Sequence, residues 1–386
     1  MSQVGASSVG LMNHVVPVSV CQMMRSTRPL PSVSARRLGL LIVLSSFLAG
    51  CNQTEVSASP ASPASPARPA SPSPAVLSAV STNLLGTVTP AANVPADCPK
   101  GSVCAGLSVA CPGVREPAIA FTATRPASGT PRGMVVLFSG NTGVTWWADE
   151  VNSIQFLDRL QARGFVTVQV RWSAGWLIAA AGEDAGTGRL ACRPASLIRW
   201  LHDKRYVPLG IPAGPVGRCG FCITGNSAGA SQVSYALSFY GLDVILDGVF
   251  PTSGPPHAAQ DKGCLRRPGE SRYQYGGKAI LIDQAHGYLR GGPCTHADPG
   301  FLSRWLAQSV DTGGRDFMHP KTRVHFIHSD HDVPAVPHAL DYIRKLRSAG
   351  TPYLKEQVIP GMPHRIEESA AGLDALFRAI LGMTTT

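Results

Sequence analysis

The chain is 386 residues long, 44% hydrophobic and 15% charged, with a formal net charge of +10. Four of the surplus cations (Arg25, Arg28, Arg36, Arg37) precede residue 51 with no acid among them, leaving +6 for the remainder. The other basic residues are scattered, without a block of about five or six like charges, so a nucleic-acid-binding face is not expected.

Leu38–Gly50 reads LGLLIVLSSFLAG, an uncharged apolar run directly behind Arg36 and Arg37. A bilayer-spanning helix needs about 20 such residues, so the run fits a secretory signal instead. Leu48-Ala49-Gly50-Cys51 resembles the lipobox of bacterial lipoproteins. That resemblance implies that residues 1–50 are removed, that Cys51 carries the lipid anchor (a palmitate-type acyl group), and that the protein is exported and held at a membrane of the cell envelope. An ordinary secretory signal and a secreted product are the alternative. Residues 51–97 are dominated by Ala, Ser and Pro, with SPASPASPARPASPSP over Ser59–Pro74. Such a stretch has too little apolar surface to offset its chain entropy and is expected to be a disordered, semi-rigid tether.

Residues 98–386 have the composition of one globular domain. Cys21 and Cys51 fall outside it, and the even set Cys98, Cys104, Cys111, Cys192, Cys219, Cys222, Cys264 and Cys294 reads as disulfides in an exported chain. Cys264 is expected to pair with Cys294, and two of Cys98, Cys104 and Cys111 with each other. Cys219-x-x-Cys222 has no second such pair or ligand-spaced His/Cys cluster beside it, which argues against a zinc or redox centre. Neither a metal nor an organic cofactor is expected.

Gly133–Phe138 is an unbroken apolar run of the kind a doubly covered parallel strand shows. The polar loop Ser139-Gly140-Asn141-Thr142-Gly143 follows it, and then a helix over Glu150–Arg163 closed by Gly164. Phe165–Val170 predicts a strand, Pro194–His202 a helix, Phe221–Ile223 a strand, Ala228–Phe239 a helix and Val244–Phe250 a strand. Residues 252–313 are long, rich in Gly, Pro and Cys, and break the alternation as a cap-like insertion. The pattern resumes with a strand at Arg323–His328, a helix at Pro337–Ser348, a strand at Leu354–Ile359 and a helix at Glu368–Leu381. Alternating strands and helices of this kind predict an α/β class: a mostly parallel sheet with helices on both faces.

The chemistry is concentrated at Gly225-Asn226-Ser227-Ala228-Gly229, between the predicted strand and helix. A G-x-S-x-G there forms a sharp turn that lifts the serine hydroxyl above the strand ends, and small residues flank it because the two backbones nearly touch. A serine hydroxyl is a weak nucleophile and needs a base, which in turn needs an orienting acid. His364, in Gly361-Met362-Pro363-His364 after the last strand, is the candidate base. Asp332, in His328-Ser329-Asp330-His331-Asp332 after the preceding one, is the candidate acid, with Asp330 as the alternative. His328, His331 and His338 read as structural or solvated. An oxyanion would be held by the backbone N–H of Ala228, at a helix N-terminus, and by Asn141 or Thr142. Trp146, Trp147, Trp172 and Trp176 are candidates for lining the pocket.

The strand–GNSAG–helix unit, the HSDHD turn and the GMPH turn, in that order, resemble the α/β-hydrolase superfamily over about residues 131–381. The resemblance implies an α/β-hydrolase fold and acyl transfer through a Ser-His-Asp triad without a cofactor. A serine hydrolase of small-molecule carboxylic esters is the first expectation, working through an acyl-enzyme and as a monomer. A peptidase or amidase of the same fold, or a non-catalytic ligand-binding lipoprotein, is the alternative. The loop at Ser139–Gly143 departs from the HGGG type of the esterase and lipase group, which leaves the acyl group open.

Overall fold

A computed structural model describes residues 84–211, 218–332 and 335–382. The leader at 1–50, the proposed anchor Cys51 and the Pro-rich repeat lie outside them. Nine strands form one sheet: β1 (Thr87–Ala91), β2 (Val103–Ala110), β3 (Ala118–Arg125), β4 (Gly133–Phe138), β5 (Phe165–Trp172), β6 (Phe221–Asn226), β7 (Gly248–Thr252), β8 (Arg323–Ser329) and β9 (Leu354–Ile359). Their order is β1-β2-β3-β5-β4-β6-β7-β8-β9. The pairings from β1 to β5 are antiparallel, and those from β5 through β4 to β9 are parallel.

The helices are α1 (Val151–Ala162), α2 (Thr187–Leu190), α3 (Cys192–Leu201), α4 (Ala228–Ser238), α5 (Gln260–Leu265), α6 (Ala279–Ala285), α7 (Leu302–Gln308), α8 (Val310–Gly313), α9 (Ala335–Ser348) and α10 (Ala370–Ile380). In β4 the period of two is visible in the packing. Met134, Val136 and Phe138 join the apolar layer of α3, α4 and α9, whereas Val135 and Leu137 join that of α1 and α10. Both faces of the central strands are therefore buried, as their continuous apolar sequences require. Crossover helices, the parallel sheet and the strand–serine–helix turn at β6–α4 make this an α/β-hydrolase fold.

Two sequence-based boundaries shift. The strand expected over Val244–Phe250 begins at Gly248, because Leu242–Val244 form a 3-10 turn. The folded body also starts before Cys98. Strand β1, inside the stretch read as tether, pairs with β2 along its whole length, so the boundary at 97 moves back. The antiparallel β1–β3 edge was not anticipated. Its strands are built largely from Ala, Ser and Thr, and few large apolar residues mark them.

Four disulfides form: Cys98–Cys104, Cys111–Cys192, Cys219–Cys222 and Cys264–Cys294. The first and last are the expected local pairs. Cys111–Cys192 ties the end of β2 to the start of α3 across 81 residues, a loop long enough to restrict the unfolded chain substantially. Cys222 is buried in the β6 core, as its strand position implied.

The insertion folds as a subsidiary layer. Helices α5, α6 and α7 contribute to a small core of Cys264, Tyr275, Ala279, Ile282, Cys294 and Trp305. It returns to the sheet over the C-terminal ends of the parallel strands, where loops can build a site on a rigid frame.

Candidate active site

Strand β6 ends at Asn226, and α4 begins at Ala228. Ser227 between them adopts φ 54° and ψ −119°, a left-handed conformation that a non-glycine residue takes at a cost of about 1–3 kcal/mol. The surrounding packing imposes it. A Cβ on Gly225 would lie 2.3 Å from the backbone of Gly229, and one on Gly229 would lie 2.3 Å from the carbonyl oxygen of Phe138. Both glycines of the motif are thus fixed by backbone-to-backbone approach. Ser227 N–H donates to the Thr252 carbonyl (2.8 Å), which anchors the turn to β7.

Ser227 opens into a cavity of about 560 Å³ whose lining also includes Gly140, Asn141, Trp146, Ala228, Asp332 and His364. Such a volume suits a small organic molecule. His364 Nδ1 lies 2.8 Å from Asp332 Oδ1. The Asp332 side chain is 3% exposed and that of His364 45%, so a buried carboxylate orients an imidazole that reaches into the open cavity. This contact leaves Nε2 as the ring nitrogen free to face the serine. Among the described residues no hydrogen bond joins Ser227 to His364. Such contacts are often long before a substrate binds.

Asp330 takes a different place. Its Oδ1 accepts from Gly361 N–H (2.9 Å) and from the Ser329 hydroxyl (3.3 Å), and Oδ2 faces the exposed His331. The Gly361 bond holds the Asp330 carboxyl below its ordinary range. Asp330 therefore pins the turn that carries His364 and does not touch the imidazole.

Further ties fix the histidine loop. Arg365 bridges Glu150 and Glu368, each at 2.9 Å. Asn226, the residue before the serine, accepts from both the Thr252 hydroxyl (3.2 Å) and Ile366 N–H (3.4 Å). One buried amide thus links the serine turn to the loop bearing His364.

Of the residues expected to hold an oxyanion, Ala228 and Asn141 both line the cavity. The loop after β4 runs so close that a Cβ on Gly140 would lie 3.3 Å from Ser227 Cβ. Asn141 sits at φ 53°, a conformation Asn tolerates better than most residues. Thr142 is not in the lining; its carbonyl accepts from Trp176 N–H (3.2 Å), turning it toward the interior. Of the four tryptophans, Trp146 lines the cavity. Trp147, Trp172 and Trp176 do not: they are fully buried core residues, and Trp172 Nε1 donates to Gln232 Oε1 (2.9 Å).

His328 is buried on β8, 3.3 Å from Glu356, and His338 is buried with Nε2 2.9 Å from the Tyr273 carbonyl; both are structural.

Sequence reasoning missed one wall. Pro256, His257, Tyr275, Lys278 and Leu281 come from the insertion, and Glu367 from the turn after His364. Burial pushes the His257 imidazole down to about 3, so it is neutral near pH 7. Burial pushes the Glu367 carboxyl up to about 7, and its Oε2 has no hydrogen-bond partner. The position of the insertion after β7 was the only available signal, since none of these residues belongs to a motif.

No family model and no curated protein sequence matches the chain. Solved structures that it is similar to include an esterase from the archaeon Pyrobaculum calidifontis, at 17% identity, covering 73% of this chain and 86% of that one with a TM-score of 0.46. Another is an arylesterase, at 14% identity, covering 75% and 85% with a TM-score of 0.47. A third is carboxyl esterase 2 from the fungus Tuber melanosporum, at 15% identity, covering 74% and 87% with a TM-score of 0.44. Likeness this distant bears on neither substrate nor mechanism. The sheet order and the cavity stand on their own.

Proposed function

We propose that the protein is a serine hydrolase acting on small carboxylic esters. The observation that carries this reading is the shared cavity of the strained Ser227 and His364, with the His364 imidazole held by the buried Asp332. Ser227 Oγ attacks the ester carbonyl carbon while His364 Nε2 takes its proton. The developing oxyanion is stabilised by the backbone N–H groups of Ala228 and Asn141, the former at the positive end of the α4 dipole. His364 then protonates the departing alkoxide, leaving an acyl-Ser227 ester. Water attacks that ester with His364 again as base, releasing the acid and restoring the hydroxyl. Labelling of the folded protein by a fluorophosphonate tests the reading, and failure to label would overturn it.

The two aspartates separate by mutation. Asp332→Asn is expected to lower kcat by about 10³- to 10⁴-fold, because an amide can no longer stabilise the imidazolium or fix its tautomer. Asp330→Asn should act only through the position of the Gly361 turn and cost less than about tenfold. Steady-state kinetics on a nitrophenyl ester decide between them, and equal losses would remove the distinction.

The lipobox-like sequence and the Pro-rich stretch support a second element of this proposal: that the hydrolase is tethered to the cell envelope through Cys51. Metabolic labelling with a radioactive fatty acid should mark the wild type and not Cys51→Ala. A wild-type chain without label would argue for a secreted product.

A further inference from the structure

Asp243, Asp316 and His319 lie together at the end of the sheet opposite Ser227, where β7 and β8 begin. Each offers one ligand atom, and these atoms all lie within 4.8 Å of one another. Asp243 belongs to the 3-10 turn Leu242–Val244 before β7; Asp316 and His319 belong to the segment between α8 and β8.

The frame around them is fixed from several sides. Arg315 and Asp316 N–H both donate to the Ser238 carbonyl, at 2.8 and 3.2 Å. The Thr322 hydroxyl donates to the carbonyls of Asp243 (3.0 Å) and Leu246 (2.7 Å), which clamps the two segments together. Met318 N–H donates to Asp316 Oδ1 (2.9 Å) and orients that carboxylate, leaving Oδ2 available.

His319 supplies the observation that points to a ligand. Its side chain is fully buried, and its Nε2 lies 3.4 Å from the Ser238 hydroxyl, which in turn meets Tyr342 at 2.6 Å. Its Nδ1 is buried with no hydrogen-bond partner. A buried ring nitrogen left unpaired is costly unless something binds it. Here the neighbouring groups are the carboxylates of Asp243 and Asp316.

We propose that Asp243, Asp316 and His319 form a structural site for a divalent transition-type ion, with zinc as its best fit. One imidazole nitrogen and two carboxylates match the borderline ligands of zinc, with water completing the coordination. Calcium takes six to eight oxygens and magnesium a near-octahedral shell, and neither is served by a buried imidazole. The ion would join the segment before β7 to the segment before β8. Because it lies beyond the strand N-termini, it bears on stability and not on the ester chemistry.

The test is calorimetric titration of the EDTA-treated, desalted full chain with zinc, calcium and magnesium chlorides, alongside thermal unfolding in each. One zinc ion per chain should bind at micromolar concentrations or below and raise the unfolding midpoint. Asp243→Asn and Asp316→Asn, which keep shape and remove charge, should each weaken zinc binding at least about tenfold. They avoid disturbing the buried imidazole. Absence of zinc binding, tighter binding of calcium, or zinc affinity unchanged in both variants would each overturn the proposal.

Discussion

Replacing Ser227 with alanine is expected to abolish fluorophosphonate labelling and to lower kcat for a nitrophenyl ester by about 10⁴-fold or more, the scale on which removal of a nucleophile acts. The fold should survive. Alanine meets the same backbone strain at φ 54°, and the flanking contacts of Gly225 and Gly229 involve backbone atoms that the substitution leaves alone. Equal circular dichroism and unfolding midpoints would therefore separate lost chemistry from lost structure. Hydrolysis at the wild-type rate in a folded Ser227→Ala protein would end the assignment of the nucleophile.

A steep loss of stability between pH 7 and pH 5 is the second large effect expected. Burial holds the imidazoles of His257 at about 3 and of His325 and His338 at about 4. In the unfolded chain each would titrate near 6.5, so below that pH the unfolded state binds protons that the folded state refuses. The stabilisation is complete above about pH 6.5 and lost as pH falls toward the depressed values. By pH 5 the loss is about 2 kcal/mol for each residue, and on the order of 6 for the three, within the range of a whole domain's stability. Glu367 opposes this by about as much as one histidine contributes, on the order of 2 kcal/mol between pH 7 and pH 5. Its raised value makes the folded state the better proton acceptor between about 4.5 and 7, so its contribution declines as pH rises through that window. Urea midpoints measured from pH 4.5 to 8 provide the check. His325→Gln should flatten the acid limb by about one proton, whatever it does to absolute stability. A flat profile across this range would contradict the burial of these imidazoles.

What the sequence made legible follows from how local each signal is. The strands at Gly133–Phe138 and Leu354–Ile359 coincide with β4 and β9 to the residue; for β4 an unbroken apolar run bounded by polar turns leaves little choice. The serine turn was readable for the same reason: its glycines answer a short-range demand between adjoining backbones. The choice between Asp332 and Asp330 was not readable, since the two are separated only by side-chain direction in one loop. Nor was the β1–β3 edge, whose small residues gain their strand character from pairing with one another and, through β3, with β5. The insertion's contribution to the cavity depends on a fold-back across 70 residues between β7 and β8, for which no local pattern stands proxy.

That insertion has a consequence for how the molecule can change. It carries its own disulfide and its own small core, so its integrity does not rest on His257, Lys278 or Leu281; of the residues it presents to the cavity, Tyr275 also belongs to that core. The serine turn, the histidine loop and the loop after β4 are held by the sheet and by Asn226, none of which the insertion supplies. The Ser227, His364 and Asp332 group and this cavity wall are therefore housed in separate parts. Substitutions at His257, Lys278 or Leu281 can reshape the cavity while Ser227, His364 and Asp332 remain where they are.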